Sequence, residues 1–134
     1  MKKIVLLTAT VYGMTAVILG AFGAHLFKQY LDVTKLASFE TGVKYQMYNA
    51  IVLLVLGLYL KFETSTERNS AICLITGTFL FSVSIYLLSF ADFWGVNLKW
   101  MGPITPLGGL FMIIGWFLLF LYFLKNKNIH KIRI

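Results

Sequence analysis

Long apolar runs, each bracketed by charge, dominate the chain. Ile4–Ala24 lies between Lys3 and His25, Tyr45–Leu60 between Lys44 and Lys61, Asn69–Ala91 between Arg68 and Asp92, and Trp100–Leu124 between Lys99 and Lys125. A helix needs about 20 apolar residues to cross the hydrocarbon layer of a bilayer. Three runs meet that length directly. The second is short, but Leu36, Phe39, Val43 and Met47 lead into it at helical spacing, while Lys35, Glu40 and Lys44 point elsewhere. Thr34–Phe62 therefore reads as one helix whose first turns lie among the headgroups, where Lys44 can snorkel. Segments such as Val52-Leu53-Leu54-Val55-Leu56 are apolar on every face and do not alternate. That excludes a membrane barrel, which needs alternating strands of about 10 residues. A lone strand would leave its backbone unsatisfied in lipid. The expected fold is all-α: an integral membrane bundle of four helices in a single domain. The expected spans are 4–27, 43–62, 69–91 and 106–124, with an amphipathic interfacial start over 34–44 and a basic tail over 125–134. The first run also has signal-peptide features, with Lys2-Lys3 ahead and small residues at Gly20–Ala24. It is read here as a retained span.

Composition agrees with this pattern. Of 134 residues, 59% are hydrophobic and 13% charged, with a mean hydropathy of +0.80. Soluble domains carry about 25% charged residues, and disorder needs still more charge and less hydrophobicity. The net charge is +7. The basic residues sit at the ends of the runs, and no aromatic residues interleave the tail, so the expected partner is the bilayer and not nucleic acid. Lys2, Lys3, Lys61, Arg68, Lys125, Lys127, Lys131 and Arg133 fall on one side of a four-span arrangement. They outnumber Lys28, Lys35, Lys44 and Lys99 on the other, which predicts both termini in the cytoplasm. Trp94 and Trp100 then mark the outer interface. Cys73, the single cysteine, has no partner for a disulfide or a metal and reads as a packing or lipid-facing residue.

Small residues suggest how the helices pack. Ala9, Gly13, Ala16, Gly20 and Gly23 alternate spacings of four and three, and Gly108 and Gly115 lie seven apart. Such seams let backbones approach closely, within the chain or in a homo-oligomer. Thr105-Pro106 reads as a cap and first turn of the last helix.

Applying the orientation collects polar residues in the outer half of the membrane. These are His25 on the first helix; Tyr45, Gln46 and Asn49 on the second; Ser82, Tyr86, Ser89 and Asp92 on the third; and Thr105 on the fourth. Polar groups in lipid tend to face the bundle interior and pair there. His25 is a candidate to orient the first helix against the third through Asp92. It is also a candidate to carry a proton or bind a ligand, since imidazole changes charge near neutral pH. A metal site is not expected, because His130 is the only other histidine and lies in the opposite tail. The serines lack a base at fixed spacing, and no Walker loop, HExxH or paired carboxylates occur within a span.

Gly20-Ala21-Phe22-Gly23-Ala24-His25, Thr41-Gly42-Val43-Lys44-Tyr45-Gln46, Phe81-Ser82-Val83-Ser84-Ile85-Tyr86, Thr105-Pro106-Leu107-Gly108-Gly109 and Gly115-Trp116 occur in that order. This set resembles the YgdD/YwdK-type family of small bacterial inner-membrane proteins, over about residues 4 to 124. The resemblance implies four spans in the inner membrane and supplies no activity, the family being a domain of unknown function. The chain departs from the family at Asn49, where a histidine is usual, and at Val83, where glycine is usual. The first departure argues against a two-histidine relay in this member.

Two function classes follow. The first is a structural or interaction module without catalytic machinery or cofactor, packing with itself or within a larger membrane complex. The alternative is a carrier or binding protein for a proton, a small solute or a lipid headgroup, using the outer-half polar cluster. It predicts a cavity lined by His25, Tyr45, Asn49, Ser82 and Tyr86. A membrane-embedded enzyme would need a nucleophile or metal contributed by a partner.

Overall fold

The computed structural model describes residues 1–125. These residues form four long helices in sequence: α1 (Lys2–His25), α2 (Val33–Tyr59), α3 (Ser65–Trp94) and α4 (Ile104–Lys125). Short 3₁₀ turns at Phe27–Gln29 and Lys99–Met101 fill the α1–α2 and α3–α4 connections. Of the expected tail, Lys125 closes α4, while Lys127, Lys131 and Arg133 lie outside the described residues.

Local chemistry explains the helix ends. Asp32 caps α2 by accepting from the Lys35 amide at 2.9 Å. Thr64 and Glu67 form a reciprocal capping box at the start of α3: the Glu67 amide donates to Thr64 Oγ1 at 3.2 Å, and the Thr64 amide donates to Glu67 Oε2 at 2.8 Å. Gly95 ends α3 with φ +66°, a left-handed cap that costs glycine little. The expected start of α4 is corrected. The helix begins at Ile104, one residue before Thr105, and the Thr105 hydroxyl bonds Ser84 on α3 at 2.7 Å instead of capping its own helix.

Neighbouring helices run antiparallel, with α2 between α1 and α3 and α4 packed along α3. The tightest seam joins α3 and α4. A Cβ at Gly77 would lie 2.7 Å from the Met112 amide nitrogen, and one at Gly108 would collide with the Phe81 amide nitrogen. At Gly115 it would lie 2.8 Å from the Leu74 side chain. The expected seam on α1 faces α2 less closely: Gly13, Gly20 and Gly23 meet Ala50, Val43 and Phe39 at 3.9, 3.4 and 3.4 Å. The glycine faces of α1 and α4 are thus both used inside the chain. Gly77 completes the α3–α4 seam and was not singled out by spacing.

The apolar core lies toward the end that holds the N-terminus. Val5, Ala9, Leu53, Leu56, Leu60, Phe62, Ala71, Leu74 and Leu119 draw all four helices together there. At the opposite end, Phe27 packs edge-on against Phe39 and Phe90, with ring centroids 5.1 and 4.8 Å apart. The outer faces stay apolar. Ile4, Leu7, Val11 and Met14 of α1 and Leu110, Ile113, Phe117 and Phe120 of α4 are exposed. In water such faces would be adhesive patches; against lipid tails they need no cover. Among the described residues, three segments are long and apolar enough to cross a membrane: Lys2–His25, Ser65–Trp94 and Lys99–Lys125. α2 is not among them, because Lys35, Glu40, Lys44, Gln46 and Asn49 lower its apolar character.

Candidate functional site

The polar residues of the spans are held mostly by one another. Gln46, 6% exposed on α2, is the centre. Its Nε2 donates to the Tyr12 carbonyl at 3.0 Å and to Thr15 Oγ1 at 2.6 Å, both on α1. Its Oε1 accepts from the Tyr86 hydroxyl of α3 at 2.8 Å. One amide thus joins three helices and fills three of its four hydrogen-bonding positions. A second set of bonds surrounds it. Ser82 Oγ donates to the Gly42 carbonyl at 2.8 Å, tying α3 to α2. The Tyr12 hydroxyl donates to the Ile75 carbonyl at 2.9 Å, tying α1 to α3. Ser70 Oγ donates to the Gly115 carbonyl at 2.9 Å, tying α3 to α4.

The remaining candidates fall elsewhere. Asn49 is buried and donates through Nδ2 to the Tyr45 carbonyl at 2.9 Å and to Met112 Sδ at 3.2 Å, linking α2 to α4. Tyr45 turns its ring outward against Phe81, with centroids 5.0 Å apart. Ser89 is buried, and its hydroxyl has no partner among the described residues. His25 is exposed at the end of α1 and forms no hydrogen bond or ion pair among the described residues. The expected contact between His25 and Asp92 is not made. Asp92 pairs instead with Lys35 at 3.2 Å, because α2 lies between α1 and α3 and presents its own cation first.

The cavity differs from the expected one as well. A cleft of about 360 Å³ lies between α2 and the start of α4. Of the nine candidate polar residues, only Ser89 and Thr105 line it; Lys35, Ser38, Thr41, Ile85 and Leu88 supply the rest. Reading the sequence missed Tyr12, Thr15 and Lys35. Tyr12 and Thr15 lie three apart on one helix face, a signal that was present but weak. Among the described residues, no group of three or more His, Cys, Asp or Glu is placed to hold a metal.

The family described as "Protein of unknown function (DUF423)" matches residues 19–109. The chain belongs to this family. A UPF0382 membrane protein of Staphylococcus aureus is 36% identical over 118 residues, covering 87% of this chain and 92% of the relative. A UPF0382 membrane protein of Haemophilus influenzae is 33% identical over 129 residues, covering 96% of this chain and all of the relative. The UPF0382 inner membrane protein YgdD of Escherichia coli K12 is 29% identical over 128 residues, covering 95% and 94%. No solved structure matches the chain. The DUF423 match begins at Leu19 in the second half of α1 and ends at Gly109 in the first turns of α4. It therefore includes Gln46, Ser82 and Tyr86 but not Tyr12 or Thr15.

Proposed function

We propose that this chain is a four-span inner-membrane protein with both termini in the cytoplasm, serving as a structural or interaction module of a membrane assembly. The observation that carries this reading is the Gln46 amide, which binds α1, α2 and α3 at one depth. Side chains engaged in this way hold helices in register. Such bonds average about 0.6 kcal/mol in membrane proteins, enough to select one rotation of each helix.

The four-span count is supported by packing. α2 runs antiparallel between two helices that are long and apolar enough to cross, so it crosses with them. The orientation is supported by the excess of Lys2, Lys3, Lys61 and Arg68 at one end and by exposed Trp94 and Trp100 at the other. The reading is tested in two ways. In a Cys73→Ser background, Asn97→Cys should react with an impermeant maleimide in intact cells, and Glu63→Cys only after permeabilisation; the reverse pattern overturns the orientation. Gentle extraction from native membranes should yield a species larger than the monomer, and a partner-free monomer overturns the assembly role.

A further inference from the structure

The cleft between α2 and α4 is a different kind of place from the Gln46 junction. Its floor is α3. Ile85 and Leu88 give it an apolar wall, and Ser89, only 2% exposed, also lines it and carries a hydroxyl without a partner among the described residues. A buried hydroxyl without a partner costs roughly 1–3 kcal/mol. Asn49 Oδ1 and Thr78 Oγ1 are also buried without a partner among the described residues, but of the three residues only Ser89 lines the cleft, where a guest would supply the missing bond. Among the described residues Lys35 supplies the cleft's only cation, and Thr105 marks the positive end of the α4 dipole on the opposite wall.

The donor inventory sets the guest's charge. Ser38 and Thr41 already donate to the Thr34 and Ala37 carbonyls of their own helix, at 3.1 and 3.0 Å. Thr105 shares its hydrogen bond with Ser84. What remains for a guest is the Lys35 ammonium and the Ser89 hydroxyl, a pair suited to an oxyanion. Asp92 stands beside Lys35 and opposes an anion, but its side chain is 79% exposed, so solvent screens it and the pair is easily exchanged. Position sets the rest. Exposed Trp94 and Trp100 lie at this end of the bundle, the level of lipid headgroups. A volume of about 360 Å³ is at the low end for ligand pockets, which run from about 300 to 1,000 Å³. That suffices for a headgroup and its first methylenes, while the remaining chain lies along the outer surface of the bundle.

We propose that this cleft holds the phosphate of a phospholipid headgroup, with Lys35 and Ser89 as donors and the first acyl methylenes against Ile85 and Leu88. The inference goes beyond the assembly role and needs only that this end of the bundle meets headgroups, whichever leaflet that is. The test uses the full chain, delipidated in a neutral detergent and titrated with phosphatidylglycerol while bound lipid is read by native mass spectrometry. One lipid per chain should be retained. Lys35→Gln should weaken retention about tenfold or more, the scale of a charged hydrogen bond. Ser89→Ala should weaken it several-fold without lowering the unfolding midpoint of the lipid-free chain, because no protein group loses a partner and an unsatisfied buried hydroxyl is removed. If Ser89→Ala disturbs folding, Lys35→Gln decides, since only its partly exposed side chain changes. Lys28→Gln, outside the cleft, should retain lipid like the parent chain. Retention unchanged in both cleft variants overturns the proposal. So does an equal loss in Lys28→Gln, which would mean general attraction to a basic surface. Displacement of the lipid by inorganic phosphate at equal concentration would also overturn it, by making the guest a soluble anion.

Discussion

Tyr86 donates its phenolic proton to Oε1 of Gln46 across the α3–α2 interface, at 2.8 Å. Removing the hydroxyl in Tyr86→Phe leaves that buried oxygen without a partner. The variant should lose about 0.6 to 1.7 kcal/mol, the range for interhelical hydrogen bonds in membrane proteins. Gln46→Leu should lose more, because three bonds go at once. In a double-mutant cycle the two losses should fall short of additivity, since they share one bond. Unfolding in mixed micelles reads each value. Fully additive losses would mean that the pair is not coupled.

The α3–α4 seam gives a sharper steric test. A methyl group at Gly108 would meet the Phe81 backbone, which cannot rotate away, whereas one at Gly109 would meet only the Phe81 ring at 3.9 Å. Alanine is favoured over glycine inside a helix by about 1 kcal/mol. Gly109→Ala should therefore be neutral or stabilising. Gly108→Ala should be destabilised by about 1–3 kcal/mol despite that gain. Equal midpoints for the two variants would show that the helices are not so closely apposed.

His25 provides the opposite case. It is exposed and bonded to nothing among the described residues, and Asp92 is held by Lys35. His25→Ala should leave the unfolding midpoint of the isolated chain unchanged at pH 6 and at pH 8. A pH-dependent loss in that variant would place His25 in a contact that this structure does not show.

These outcomes also mark what the sequence carries. Charge-bracketed runs locate α1, α3 and α4, and the repeat of Leu36, Phe39, Val43 and Met47 extends α2 well beyond its apolar segment. Depth is therefore legible. Direction around each helix axis is less so. One residue turns a helix by about 100°, so two polar groups at one level need not face each other. That is why Gln46 and Tyr86 meet while His25 and Asp92 do not. Tyr12 and Thr15 escaped notice for a related reason. A threonine within a span commonly bonds its own helix, as Thr10 does to the Leu6 carbonyl at 3.1 Å. Nothing in the letters separates that role from service to a neighbour. Ser89 has the reverse property: its lack of a partner among the described residues becomes visible only once the surrounding helices are placed.

The modest apolar character of α2 has a consequence for biogenesis on the four-span reading. A segment carrying Gln46 and Asn49 gains little by entering oil unaccompanied, and its first polar partners, Tyr12 and Thr15, belong to the helix made just before it. The first two helices would thus leave the insertion machinery as a hairpin, with the earlier one acting as an internal chaperone for the later.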